Sequence, residues 1–213
     1  VLWIGNESNQ KALANKIHQL FPLTAIVTET RKSKTKITIA KIVEKVVDLL
    51  FLKNIPAAWL GMKKFYEKQY AQYPNIKNLD VENINTDIVY DFTKEINPDI
   101  IVVSGTRLVK EKLLSLNPSI GILNLHTGLS PYIKGAPNCT NWCIATNQLH
   151  LVGNTIMWID KGIDSGNIIT TELTEFTGDE SLLDVHIKVM EHGHSLYLKA
   201  ISKLIEGKRQ NVS

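Results

Sequence analysis

Apolar residues along the chain fall into short runs and helical stripes, punctuated by glycine, proline and asparagine. Val1 to Gly5 is an apolar run ending in glycine, and Lys11 to Leu20 sets Ala14, Ile17 and Leu20 near helical spacing. Leu23 to Val27 is a second short apolar run. Strand, turn, helix and strand in that order open a parallel α/β sheet. From 38 to 54, Ile39, Ile42, Val43, Val46, Val47 and Leu50 recur at three and four while Lys41, Glu44, Lys45 and Asp48 face away. That pattern predicts an amphipathic helix, interrupted by Pro56. A second helix should carry Trp59, Met62, Phe65 and Tyr66 and fade by Tyr73-Pro74; both stripes read as core. Residues 75 to 86, with Asn75, Asn78, Asn83 and Asn85, read as loop.

Val89 to Ile96 reads as a helix stopped by Asn97-Pro98. The β-branched run from Ile100 to Val103 predicts a strand buried on both faces, ended at Gly105. Lys110 to Leu116 is a short helix, and Ile120 to Leu125 another strand. Thr140 to Thr146 is expected as helix, Leu151 to Ile159 and Asn167 to Leu173 as a hairpin, and Ser181 to Ile205 as a long closing helix capped by Asp179 or Ser181. No repeat or linker breaks the pattern, so residues 1–213 are expected to form a single domain. Val1-Leu2-Trp3-Ile4 reads as a strand rather than a leader, and the missing Met implies a few residues before Val1.

Composition narrows the class. A chain of 213 residues can bury a substantial core, and 44% hydrophobic with 21% charged residues is an ordinary globular balance. No run approaches the roughly 18–20 apolar residues of a membrane span. The formal charge of +3 argues against nucleic acid, which calls for a clustered basic face. Lys and Arg do gather from Arg31 to Lys53, read first as a solvated helix face and more sharply as attraction for an anionic substrate. Cys139 and Cys143, four apart, would share a helical face as buried thiols; two cysteines do not make a zinc site, so no metal is expected. A reducing cytoplasm fits this cysteine usage.

Two constellations carry chemistry. Asn124-Leu125-His126 ends the strand from Ile120. Residues two apart in extended chain point to the same side, so an amide and an imidazole share the edge where open α/β sheets bind ligands. Gly128, Pro131 and Gly135 shape the next loop. A lone histidine after a strand is more often structural, but the paired asparagine favours a catalytic one. The second constellation, Asp160-Lys161-Gly162-Ile163-Asp164-Ser165-Gly166, sets two aspartates four apart in a turn. Alone it reads as a plain turn.

Together these residues resemble the folate-dependent formyltransferase family, which includes glycinamide ribonucleotide transformylase, methionyl-tRNA formyltransferase and the sugar N-formyltransferases. The resemblance rests on Asn124, His126, Pro131, Gly135 and Asp164, runs from Val1 to about Leu173, and is strongest from Ile100 to Ile169. It implies an α/β fold with a Rossmann-like open, mostly parallel twisted sheet, helices on both faces, and a C-terminal hairpin plus long helix. It implies Asn124, His126 and Asp164 as catalytic residues, Asp164 preferred over Asp160 because Ser165-Gly166 follows it. It implies 10-formyltetrahydrofolate as co-substrate, held by Thr106, Arg107, Leu108 and Val109 on one wall and Asp160, Ile163 and Ser165 on the other.

Asn6, Ser8, Asn9, Gly128 and Lys134 are the expected acceptor-binding residues. Gly5-Asn6-Glu7-Ser8-Asn9 resembles the phosphate-gripping loop of glycinamide ribonucleotide transformylase, with Glu7 where that loop has a second glycine. Glycine lets phosphate approach the backbone N–H groups of a helix N-terminus; a carboxylate repels it. Glu7, the helical pair from Thr38 to Tyr70, and the spelling of His126 to Pro131 and of Gly105-Thr106-Arg107, which resembles formyltransferases of surface-polysaccharide sugar pathways, together imply as acceptor the amine of a nucleotide-linked amino sugar, of the dTDP- or UDP-4-amino-4,6-dideoxy type used in lipopolysaccharide or surface-glycan biosynthesis. Phosphoribosylglycinamide is the alternative, and water, as in a deformylase, a third. A non-catalytic nucleotide-binding module is the alternative from another class; a dehydrogenase is disfavoured by the missing three-glycine fingerprint. The absent C-terminal barrel domain and the small charge count against methionyl-tRNA. No nucleic-acid or membrane partner is expected, and a homodimer stays open. His18, His186, His192 and His194 read as helix surface, and Trp142 and Trp158 as core.

Overall fold

In chain order the elements are β1 (Leu2–Gly5), α1 (Ser8–Leu20), β2 (Ala25–Glu29), α2 (Asn54–Gln69), β3 (Lys77–Val81), α3 (Asp87–Ile96), β4 (Ile100–Ser104), α4 (Glu111–Leu114), β5 (Gly121–His126), α5 (Cys139–Ala145), a 3₁₀ turn (Leu149–Leu151), β6 (Gly153–Trp158), β7 (Ile168–Leu173) and α6 (Leu182–Ile205). The structure is a computed structural model that describes residues 1–32, 53–135, 139–162 and 164–207. The amphipathic stripe expected from 38 to 54, and most of its basic run, lie outside the described residues.

The strands form one sheet in the order β3-β2-β1-β4-β5-β6-β7. The first five run parallel; β6 and β7 pair antiparallel as the expected hairpin. Strand order reverses between β1 and β4, and ligands in such sheets bind outside the carboxyl ends at that switch.

Period-two alternation feeds two cores. Leu2, Ile4 and Val102 face one layer with Leu13 and Ile17 of α1 and Leu196, Tyr197 and Ile201 of α6. Trp3, Ile101 and Val103 face the other, with Val89 of α3 and Leu113 of α4. Each such side chain removed from water stabilises the fold by roughly 1.5–3 kcal/mol. The helix α6 starts at a capping box, in which the Ser181 hydroxyl accepts from Asp184 N and the Asp184 carboxylate accepts from Ser181 N. It is pinned to the sheet by Tyr197, whose hydroxyl accepts from Val103 N at 3.0 Å and donates to Leu123 O at 2.9 Å.

Several expectations needed correction. The stretch read as loop from 75 to 86 contains β3, an edge strand in which only Leu79 and Val81 turn inward while Lys77, Asn78 and Asp80 face water. Its asparagine-rich spelling conceals a strand that needs only one covered face. Pro56 lies in the first turn of α2, which does not need its N–H; the stripe it was expected to interrupt lies outside the described residues. Trp142, expected in the core, is 63% exposed. His186 and His194, expected at the surface, are buried; with Met190 between them they step by four along the α6 stripe that α2 covers. No helix among the described residues is long and apolar enough to cross a membrane.

Candidate active site

Asn124 and His126 end β5 between β4 and β6, with Asn124 opposite Val103 on one side and Met157 on the other. The loop after His126 folds back against β6. Thr155 staples it: its hydroxyl donates to Gly128 O at 2.7 Å and accepts from Ser130 N at 3.0 Å. This return brings Ile133 O to 2.8 Å from His126 Nε2. Gly128 packs on the same ring; a Cβ there would lie 2.4 Å from His126 Nε2, so only glycine fits.

Asp164 closes the other side. Its Oδ2 lies 3.3 Å from His126 Nδ1 and accepts from Gly135 N at 3.0 Å. Asp164 has φ of 46°, a left-handed conformation that Asp tolerates better than most residues. His126 is only 7% exposed. A carbonyl faces Nε2 and a carboxylate faces Nδ1, and both of these partners can only accept. Cys139 Sγ sits 3.9 Å from Nε2; burial, reinforced by the nearby Asp164 charge, pushes its thiol up to about 11. The other aspartate does different work. Asp160 Oδ1 accepts from Gly162 N at 2.9 Å and from the Ser165 hydroxyl at 2.7 Å, which builds the turn that presents Asp164.

Two cavities meet here. One, of about 240 Å³, runs between the loop Thr106–Val109 and the turn from Asp160 to Ser165. The other, of about 570 Å³, reaches from His126 toward Arg31, Trp59 and His186. Thr106, Asn124 and Asp164 line both. A third, of about 420 Å³, adjoins the second through Glu7, Gln10, Arg31 and Gly105. Among the described residues, no group of three or more His, Cys, Asp or Glu side chains is placed to hold a metal ion.

The sequence-derived residues divide accordingly. Thr106, Arg107, Leu108, Val109, Asp160 and Ser165 line the smaller cavity, and Ile163 lies outside the described residues. Asn9 lines the large cavity and Asn6 the third. Ser8 and Lys134 line none of the three, and Gly128 serves the imidazole instead of a cavity. Glu7 sits at the start of α1 on the rim of the large cavity, 3.5 Å from Lys63 Nζ. Arg31, which opens the basic run read as attraction for an anionic substrate, lines the large cavity, whereas sequence reasoning missed Trp59 and His186. Trp59 read as part of a core stripe, and His186 carried no local motif at all.

The α/β sheet thus ends in an Asn-x-His strand with an aspartate at the imidazole, beside two cavities that share a wall. Residues 14–201 match the formyl transferase family, and the chain belongs to that family. Phosphoribosylglycinamide formyltransferase from Streptococcus pneumoniae TIGR4 has the same fold at a TM-score of 0.65 and 16% identity, over 96% of this chain and 98% of that one. The formyltransferase PseJ from Anoxybacillus kamchatkensis, solved with UDP-4,6-dideoxy-4-formamido-L-AltNAc and tetrahydrofolate, aligns at a TM-score of 0.53 and 17% identity, over 99% of this chain and 79% of that one. At these identities the likeness concerns the fold alone. The methionyl-tRNA formyltransferase of Clostridium tetani is 33% identical over 141 residues, which are 65% of this chain and 44% of that protein. The chain spans about half the length of the curated relatives it matches.

Proposed function

We propose that this chain transfers a formyl group from 10-formyltetrahydrofolate to the amine of a nucleotide-linked amino sugar. The observation that carries the reading is that Asn124 and Asp164 stand on the wall shared by two cavities, with His126 held between Asp164 and Ile133 O. Transfer between two bound molecules needs such a junction. The folate fits the smaller cavity, against the loop Thr106–Val109 and the turn from Asp160 to Ser165. The acceptor fits the larger.

In this reading the amine nitrogen attacks the formyl carbon. A C–N bond forms, negative charge moves to the formyl oxygen, and the bond to the folate nitrogen then breaks as that nitrogen takes a proton. Ile133 O occupies His126 Nε2, which leaves Nδ1 on the junction side beside Asp164. The Asn124 amide donates to the developing oxyanion, and His126 Nδ1, 3.3 Å from Asp164, shares its N–H between that carboxylate and the oxyanion; donors preorganised in this way contribute about 10²–10³ in rate each. Asp164 orients the imidazole and helps take the amine proton through water. Residues 1–213 act here as one catalytic domain, working in the cytoplasm on a small molecule.

Glu7 on the rim of the acceptor cavity supports a sugar over a ribonucleotide phosphate at the start of α1. The curated relatives favour a second reading, in which the acceptor is the amine of methionyl-tRNA. A formyl-transfer assay with 10-formyltetrahydrofolate separates them, with UDP- and dTDP-4-amino-4,6-dideoxy sugars, glycinamide ribonucleotide, methionyl-tRNA and water as acceptors. Formylation of an amino sugar is expected. Turnover with methionyl-tRNA alone would replace the sugar reading, and no turnover with any acceptor would sink both.

A further inference from the structure

The segment from Gly105 to Lys110 joins β4 to α4 with no helix or strand of its own, and Thr106 to Val109 within it wall the smaller cavity. Gly105, Arg107, Leu108 and Lys110 are exposed; Val109 alone is buried, in the core layer that also holds Ile84. A wall of this kind needs support from outside itself.

That support comes from the connection between β3 and α3. The Asn85 side-chain amide donates to Leu108 O at 3.0 Å, and its Oδ1 accepts from Lys110 N at 2.8 Å. A carbonyl and an N–H two residues apart lie on one edge of an extended chain, so a single side chain takes the place of a neighbouring strand's peptide group. Lys110 is extended, with φ −91° and ψ 164°. The orientation of the amide follows from its partners, since Lys110 N can only donate and Leu108 O only accept.

Asn85 is itself held in place. Ile84 before it is fully buried, and Ile84 N donates to Glu29 Oε1 at 3.0 Å. Asn85 N donates to Asn83 Oδ1 at 3.0 Å, and α3 begins two residues later at Asp87. Alongside, Arg107 N donates to Glu29 Oε2 at 2.8 Å and the Arg107 guanidinium to Glu82 O. The backbone groups Arg107 N, Leu108 O and Lys110 N thus end on two side chains, and Asn85 carries two of the three. Asn85 lines none of the three cavities, so it acts on a ligand only through the loop. A loop fixed beforehand in its binding shape spares the ligand the cost of ordering it.

We infer that Asn85 is a positioning residue for the folate, its two hydrogen bonds setting Thr106 to Val109 as the cavity wall. This rests on the reading of the smaller cavity as the folate site and is independent of which amine accepts the formyl group.

The test is calorimetric binding of 5-formyltetrahydrofolate, in place of the reactive 10-formyl isomer, to the wild type, Asn85→Ala and Asn85→Asp. Asn85→Ala should weaken binding about tenfold. Asn85→Asp should not restore it, because a carboxylate cannot donate to Leu108 O. In formyl transfer to the amino-sugar acceptors, the folate KM of Asn85→Ala should rise by a similar factor while kcat stays within about threefold. A loss of stability alone would leave the KM of the folded protein unmoved. Leu108→Ala trims the cavity lining directly and separates the two claims. Weaker binding by Leu108→Ala beside wild-type binding by Asn85→Ala would overturn the positioning role and spare the cavity reading. Wild-type binding by both variants, or no binding by the wild type, would overturn both. Wild-type affinity in Asn85→Asp, or a fall in kcat at saturating folate, would also contradict the positioning role. The binding measurement needs no acceptor, so it decides whichever amine proves correct.

Discussion

Glu29 and Arg107 meet at 2.8 Å, where the end of β2 faces the loop after β4. The Glu29 side chain is fully buried, and its carboxylate accepts from Ile84 N at 3.0 Å, Arg107 N at 2.8 Å and Arg31 Nε at 3.0 Å besides. One carboxylate thus ties Arg107, on a wall of the smaller cavity, to Arg31, which lines the larger.

Burial alone would raise the Glu29 carboxyl, but the hydrogen bonds from Ile84, Arg107 and Arg31 outweigh it and hold it below the usual carboxylate range. A depressed folded value stabilises the protein above the unfolded value and loses that contribution as pH falls through the folded one. Glu29→Gln should cost about 1.5–3 kcal/mol at pH 7 and flatten the loss of stability below about pH 4. Urea unfolding at pH 7 and pH 3.5 checks both; an unchanged midpoint at pH 7 contradicts the clamp.

His194 gives a second pH dependence. It is 1% exposed, its Nδ1 lies 3.4 Å from Lys16 Nζ, and its ring packs on Tyr66. Burial first, then the Lys16 charge, lowers it to about 3. The neutral ring therefore favours folding above the unfolded value near 6.5, and stability falls by about 1.4 kcal/mol per pH unit below that until pH nears 3. His194→Leu should reduce that slope between pH 6 and 4, measured by thermal or urea unfolding.

Gly128→Ala should displace the His126 ring, because its Cβ would stand 2.4 Å from Nε2. The expected cost is about 1–3 kcal/mol of stability, with a loss of formyl transfer larger than that of acceptor binding. Equal kcat in the variant would show that the ring position does not matter.

Cys139 should prove a spectator. With its thiol pushed up to about 11, iodoacetamide at pH 8 should modify it slowly until the protein is denatured. Cys139→Ser should keep formyl transfer within a few-fold of wild type, while a trapped formyl thioester on Cys139 would contradict the direct transfer described above.

The sheet and the His126 neighbourhood were legible because each rests on local spelling. The β-branched run from Ile100, the alternation ending at His126 and the glycine-spaced aspartates announce their own conformations. The resemblance singled out Asp164, and the structure brings that carboxylate, rather than Asp160, to His126. Residues whose role depends on a distant partner were not legible. The edge strand β3 is defined by its pairing with β2, since its own residues are mostly exposed. His186 and His194 read as surface because what covers them comes from other elements, Trp59 and Tyr66 of α2 and, at His194, Lys16 of α1. Glu29 gave no signal, as three of its four donors come from segments more than fifty residues away.

The most direct test of the central claim is formyl transfer by Asp164→Asn beside the wild type, with 10-formyltetrahydrofolate and the amino-sugar acceptors. Asn also tolerates the left-handed backbone that Asp164 adopts at φ 46°, so the fold should survive, as circular dichroism would show. The account predicts turnover in the wild type and a loss of about 10²–10⁴ in the variant. A folded Asp164→Asn protein with near-normal turnover would contradict it.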